Sequence, residues 1–145
     1  MSGQDDARRI LQALARPTEP YHQPSYDELI DEFGTVLLKA SDGAYQGDTY
    51  VLLQYDNDYG YLNFGWGSCS GCDALEGCGS WAELDELRDT LSDQIHWEEG
   101  AEKMLGWWLA KDWGGEYNSM DEAKQQFVVD GRKILEIAVE KERTE

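Results

Sequence analysis

Asp48-Thr49-Tyr50-Val51-Leu52-Leu53-Gln54-Tyr55-Asp56-Asn57-Asp58-Tyr59-Gly60-Tyr61-Leu62-Asn63-Phe64-Gly65 is the stretch on which the fold turns. Tyr50, Val51, Leu52, Leu53 and Tyr55 are β-formers or aliphatic residues. Asp56-Asn57-Asp58 interrupts them with turn chemistry, and Tyr59–Gly65 resumes the strand character. The pattern predicts an antiparallel β-hairpin. Asp56 and Asp58 also have the spacing of the first calcium ligands of an EF-hand, but Gly60 stands where the third would fall, so the reading is a structural turn.

Helical signals surround the hairpin. Ser25-Tyr26-Asp27-Glu28 is a capping box. Tyr26, Leu29, Ile30 and Phe33 follow it at helical spacing, and Gly34 is a stop. Thr35–Lys39 reads as a short strand. Ser80-Trp81-Ala82-Glu83 is a second capping box, ahead of a stripe of Leu84, Leu87, Leu91 and Ile95. Trp97–Asp112 reads as a third helix, with Glu98, Glu99 and Glu102 in a first turn that suits carboxylates. Its Trp107 and Trp108 fit either a core or an interface. Ser119-Met120-Asp121-Glu122 opens a last helix, in which Gly131 either weakens the helix or permits a close contact. Before all of this, residues 4–15 suggest a short helix, and Pro17, Pro20 and Pro24 an extended linker. The expectation is an α+β fold: a short antiparallel sheet packed by about four helices, near 26–33, 81–95, 97–111 and 120–141. Residues 1–24 form the N-terminal helix and linker, and 25–145 one α+β domain.

The net charge is −18, and it is unevenly placed. Residues 25–100 hold 17 acidic side chains against two basic ones, Lys39 and Arg88. Such a field repels nucleic acid and anionic membranes and attracts basic surfaces. Asp85, Asp89 and Asp93 recur every fourth residue, which spaces them ~6 Å apart along a helix, like a row of phosphates. With Asp27, Asp31 and Glu32 they are the candidate partner-binding residues. No apolar run reaches the ~20 residues of a membrane span. The first residues have neither the basic nor the apolar segment of a secretory signal. The expected location is the cytoplasm, with cysteines as thiols or metal ligands rather than disulfides.

All three cysteines lie in Gly60–Ser80, with six of the fifteen glycines. Cys69-x-x-Cys72 and Cys78, with His96 as fourth ligand, have the residue types of a structural zinc site, and Asp73 is a poorer alternative ligand. Such sites usually bring two ligand pairs, and the second is missing. A redox pair would favour a helix starting at the motif, whereas the capped helix starts eight residues after Cys72. A nucleophilic cysteine with His96 as base would need an orienting third group. The plain alternative is three small thiols in a tight glycine loop. Glu98, Glu99 and Glu102 beside His96 lack the repeated Glu-x-x-His of a di-iron site. There is no phosphate-binding loop and no nucleophile elbow. The reading is therefore non-enzymatic.

Gly67-Ser68-Cys69-Ser70-Gly71-Cys72-Asp73, preceded by Tyr61-Leu62-Asn63-Phe64-Gly65-Trp66, resembles a group of small acidic proteins encoded by bacteriophages and actinobacteria. The resemblance covers roughly residues 45–80, including Tyr45-Gln46-Gly47-Asp48. It implies a phage or mobile-element origin and supplies no catalytic residue. Small acidic phage proteins often inhibit host nucleic-acid enzymes. By that analogy of size and charge, the expectation is an inhibitor or DNA mimic that docks a basic surface of a nucleic-acid-handling host protein. The alternative is a small zinc protein built on the cysteine loop or, behind it, a thiol-redox protein.

Overall fold

The computed structural model describes residues 20–43, 46–67, 73–113 and 122–144. The expected helix over 4–15, Cys69, Cys72 and the Ser119–Asp121 part of the third capping box lie outside them. The elements are α1 (Tyr26–Asp31), β1 (Thr35–Ser41), β2 (Gln46–Tyr55), β3 (Asp58–Gly67), α2 (Trp81–Gln94), β4 (His96–Glu99), α3 (Ala101–Ala110) and α4 (Glu122–Thr144). The fold is α+β: among the described residues, one sheet of order β1-β2-β3-β4, antiparallel throughout, and four helices.

The hairpin forms where the sequence places it. Tyr55 pairs with Asp58 across Asp56 and Asn57, and Asp56 takes a left-handed φ of 57°, a conformation that Asp tolerates better than most residues. Side chains then alternate between the sheet's two faces. Val51, Leu53, Leu62 and Phe64 meet Leu29, Ile30 and Phe33 near α1 and Leu84 and Leu91 of α2. Tyr50, Leu52, Tyr59 and Tyr61 meet Met104 and Trp108 of α3 and Phe127, Leu135 and Val139 of α4. One sheet therefore separates two apolar cores. Trp108 is core, whereas Trp107 is half-buried.

The structure corrects one boundary. Residues 97–99, expected as the start of a helix, form β4 together with His96 and pair with Asp58–Tyr61. Gly100, at a φ of 84°, turns the chain, and its amide donates to the Asn57 carbonyl (2.9 Å), tying the break to the hairpin turn. Glu98 and Glu99 are therefore strand residues. The first amide of α3, on Ala101, is met by the Glu142 carboxylate of α4 (3.0 and 3.2 Å), so the acidic group near the positive helix end comes from another element. Gly60 makes room for this arrangement: a Cβ there would lie 2.8 Å from Ile95 and 2.9 Å from Trp97. Among the described residues, no helix is long and apolar enough to cross a membrane.

Candidate functional site

Among the four helices of the described residues, α1 and α2 carry the acidic excess. These two helices hold eight acidic residues and one basic residue, Arg88, while α3 and α4 hold six of each. Both helices form where their caps dictate. Ser25 accepts from the Glu28 amide and Glu28 accepts from the Ser25 amide, a complete capping box. Ser80 accepts from the Glu83 amide, while the Glu83 carboxylate takes the Gly79 amide.

The candidate partner-binding residues divide by what their carboxylates already hold. Glu32 and Asp85 converge on Arg88: Oε1 of Glu32 lies 2.7 Å from Nε, and Oδ1 of Asp85 lies 2.6 Å from Nη1. The Arg88 side chain is only 9% exposed. A guanidinium that deep requires counter-charge, so these two carboxylates staple α2 to the end of α1 rather than wait for a partner. Asp85 thus leaves the ladder expected from its spacing. Asp89 is half-buried, Asp93 and Asp31 are exposed, and Asp27 is exposed but ion-paired with Lys39. Sequence reasoning missed Arg88 as the staple. The signal was its position four residues after Leu84 and three before Leu91, on the inward stripe. Replacing Glu32 with Gln and Asp85 with Asn together should cost about 3 kcal/mol, because the guanidinium stays buried and loses both counter-charges. Asp93→Asn should leave the urea midpoint unchanged, and an equal loss in the two variants would refute the staple.

Beside these helices, a cleft of about 400 Å³ runs between α1 and the sheet, lined by Tyr26, Lys39, Ser41, Thr49, Trp66 and Asp73 among others. Asp73 forms its inner end, where the glycine–cysteine loop rejoins the described chain. One carboxylate oxygen accepts from the Gly67 amide (2.7 Å). The other accepts from the Leu75 and Glu76 amides (2.9 and 3.0 Å) and the Tyr26 hydroxyl (2.9 Å). Burial pushes this carboxyl's pKa up, but the four donors outweigh it and hold the group below its ordinary range. With both oxygens engaged, Asp73 is an anchor that closes the loop at 67 and 73, and it is not free to ligate a metal. The same environment acts on Tyr26, whose hydroxyl pKa is raised by burial and by its bond to Asp73.

Of the four expected zinc ligands, Cys69 and Cys72 lie outside the described residues, and the other two, Cys78 and His96, lie far apart. Cys78 lies just ahead of α2, with Sγ against the Ala74 carbonyl (3.3 Å). His96 lies beyond the other end of that 14-residue helix, about 20 Å along its axis. It is also on the opposite side of the sheet: it pairs with Tyr61, stacks on Trp107 (4.1 Å, 13°) and holds Glu98 (2.6 Å). His96 therefore does not meet Cys78, either as a co-ligand or as its base. Among the described residues, no three His, Cys, Asp or Glu side chains converge on a metal position. The Cys78 thiol is pushed up by burial and then by the charges of Glu83, Asp73 and Glu86, the reverse of what activates a thiolate. Glu102 pairs with Arg143 (3.1 Å) and does not meet His96.

No family model, curated protein or solved structure matches the chain.

Proposed function

We propose that this is a non-enzymatic acidic binding protein that docks a basic surface through the outer face of α1 and α2. The most concrete form is a phage-type inhibitor or DNA mimic, whose partner is a protein that otherwise holds a nucleic-acid backbone. The observation that carries the reading is the segregation of charge by the sheet. The only base on α1 and α2 is buried and already neutralised, so the exposed charges of those helices are all negative. Asp31, Glu83, Glu86 and Asp93 are exposed among them. A one-sided field of this kind steers association with a cationic patch and weakens as salt screens it.

The test replaces Asp31, Glu86 and Asp93 with amides. None of the three is used by a helix cap or by Arg88, so the fold is retained. The immobilised protein is challenged with extracts of candidate host cells at low and high salt, with duplex DNA as competitor. A genuine partner is released by salt and by DNA, and the triple variant binds it about tenfold or more weakly. A partner held equally by the native and triple-variant proteins, at either salt, would overturn the proposal.

A further inference from the structure

We infer that Tyr61, Trp107 and Trp113 form a receptor for a methylated ammonium group, and that Lys111 is its resident occupant. Lys111 Nζ sits 5.8, 5.5 and 5.1 Å from the centroids of the three rings, inside the ~6 Å reach of a cation–π contact. The rings stand as walls at large mutual angles: 45° between Tyr61 and Trp107, 88° between Tyr61 and Trp113, 75° between Trp107 and Trp113. Three electron-rich faces thus converge on one cation.

Each wall is fixed without help from that cation. Tyr61 is buried on the central strand β3 and packs on Trp108 and Phe127. Trp107 is stacked on His96, which Glu98 holds in turn. Trp113 donates its indole N–H to the Trp108 carbonyl (3.0 Å) and packs on the Trp108 ring. The occupant, by contrast, hangs on a flexible four-carbon stem. Lys111 makes no ion pair among the described residues, although the chain carries a net charge of −18. A rigid box filled by a movable cation is a site poised for exchange.

The chemistry of the box selects the incoming cation. A primary ammonium is compact and strongly hydrated, and ring faces offer it no hydrogen-bond acceptor beyond the π cloud. A trimethylammonium is weakly hydrated and presents apolar methyl groups, so it loses less on entering and touches more ring surface. Aromatic boxes are used for such groups generally. The head can be carried by a trimethylated lysine of a partner protein or by a free choline-like molecule. This surface lies across the sheet from the α1 and α2 face, so it is independent of the docking proposal.

The experiment frees the box with Lys111→Ala and titrates three probes: tetramethylammonium, a trimethyllysine peptide and the same peptide unmethylated. Tryptophan fluorescence and calorimetry report binding, and near-UV circular dichroism confirms the fold. Lys111 is the extended C-cap of α3, so Lys111→Thr, which suits extended backbone, is the second variant in case Ala disturbs this turn. The expected result is that the freed box binds methylated probes at least about tenfold more tightly than the native chain, prefers the methylated peptide to its unmethylated twin, and loses both properties when Trp113→Ala is added. A peptide that binds more tightly than tetramethylammonium would assign a protein-borne head, and equal affinities would assign a free one. No saturable response in either variant, no preference for methylation, or binding that survives Trp113→Ala would overturn the inference.

Discussion

Asp73→Ala should destabilise the protein by about 3–4 kcal/mol, because it removes one acceptor group from four donors at once. Asp73 is 5% exposed and receives the Gly67, Leu75 and Glu76 amides and the Tyr26 hydroxyl. An orphaned buried donor costs about 1–3 kcal/mol, and water reaching the cleft end recovers part of the total. Asp73→Asn is the informative companion. Its amide oxygen can keep the Leu75 and Glu76 amides, but its NH2 then faces the Gly67 amide, donor against donor. It should lose less than Ala and should also flatten the acid side of the stability profile. The sign follows from the lowered folded-state pKa of Asp73. Its contribution is fully present above the unfolded carboxyl pKa and is lost as pH falls through the folded value. Urea titrations across the acid range measure both effects. An Asp73→Ala midpoint within experimental error of the native one would mean that the loop is closed by something else.

Asp73 also shows where sequence reading stops. Beside a Cys-x-x-Cys motif it has the look of a ligand, and only the return of Gly67 and Tyr26 to the same point makes it an anchor. The Gly67 contact closes a loop of six residues, and the Tyr26 contact is non-local, 47 residues away. The hairpin was legible because its pattern is local, with a run of β-formers, a turn composition and a second run. The Ser25 and Ser80 caps were legible for the same reason. The stretch from His96 to Glu99 was not. Trp97 followed by two acids satisfies a helical first turn, and strand character enters only through pairing with Asp58–Tyr61. Charge was legible as a total and misread in detail. Periodicity put Asp85 in a solvent-facing ladder with Asp89 and Asp93, but periodicity fixes angular position and not burial. Arg88, on the inward stripe, draws Asp85 and Glu32 onto itself. The Lys111 box draws its walls from β3, α3 and the segment after it, a convergence that no single window of sequence displays.

Gly131→Ala and Gly106→Ala should move stability in opposite directions, although both replace a glycine inside a helix. Intrinsic propensity favours Ala over Gly by up to about 1 kcal/mol in a helix interior. At Gly106 of α3 an added Cβ meets nothing within 4 Å, so the propensity gain should appear almost undiminished, about 0.5–1 kcal/mol. At Gly131 of α4 the same Cβ would lie 2.3 Å from Cζ2 and 2.8 Å from Cη2 of Trp108. That ring cannot step aside. It is 1% exposed, its indole N–H is bound to the Val128 carbonyl (2.9 Å), and Phe127 and Trp113 press on it. The helices must part instead, opening the core beneath Tyr61 and Leu52, at a cost of about 3 kcal/mol against the small propensity gain. Of the two sequence-level roles open to Gly131, the structure therefore selects close helix contact. Thermal and urea unfolding of the two single variants decide the matter. Stabilisation by Gly131→Ala would mean that α4 does not approach α3 this closely, and the tryptophan-centred packing described above would have to be redrawn.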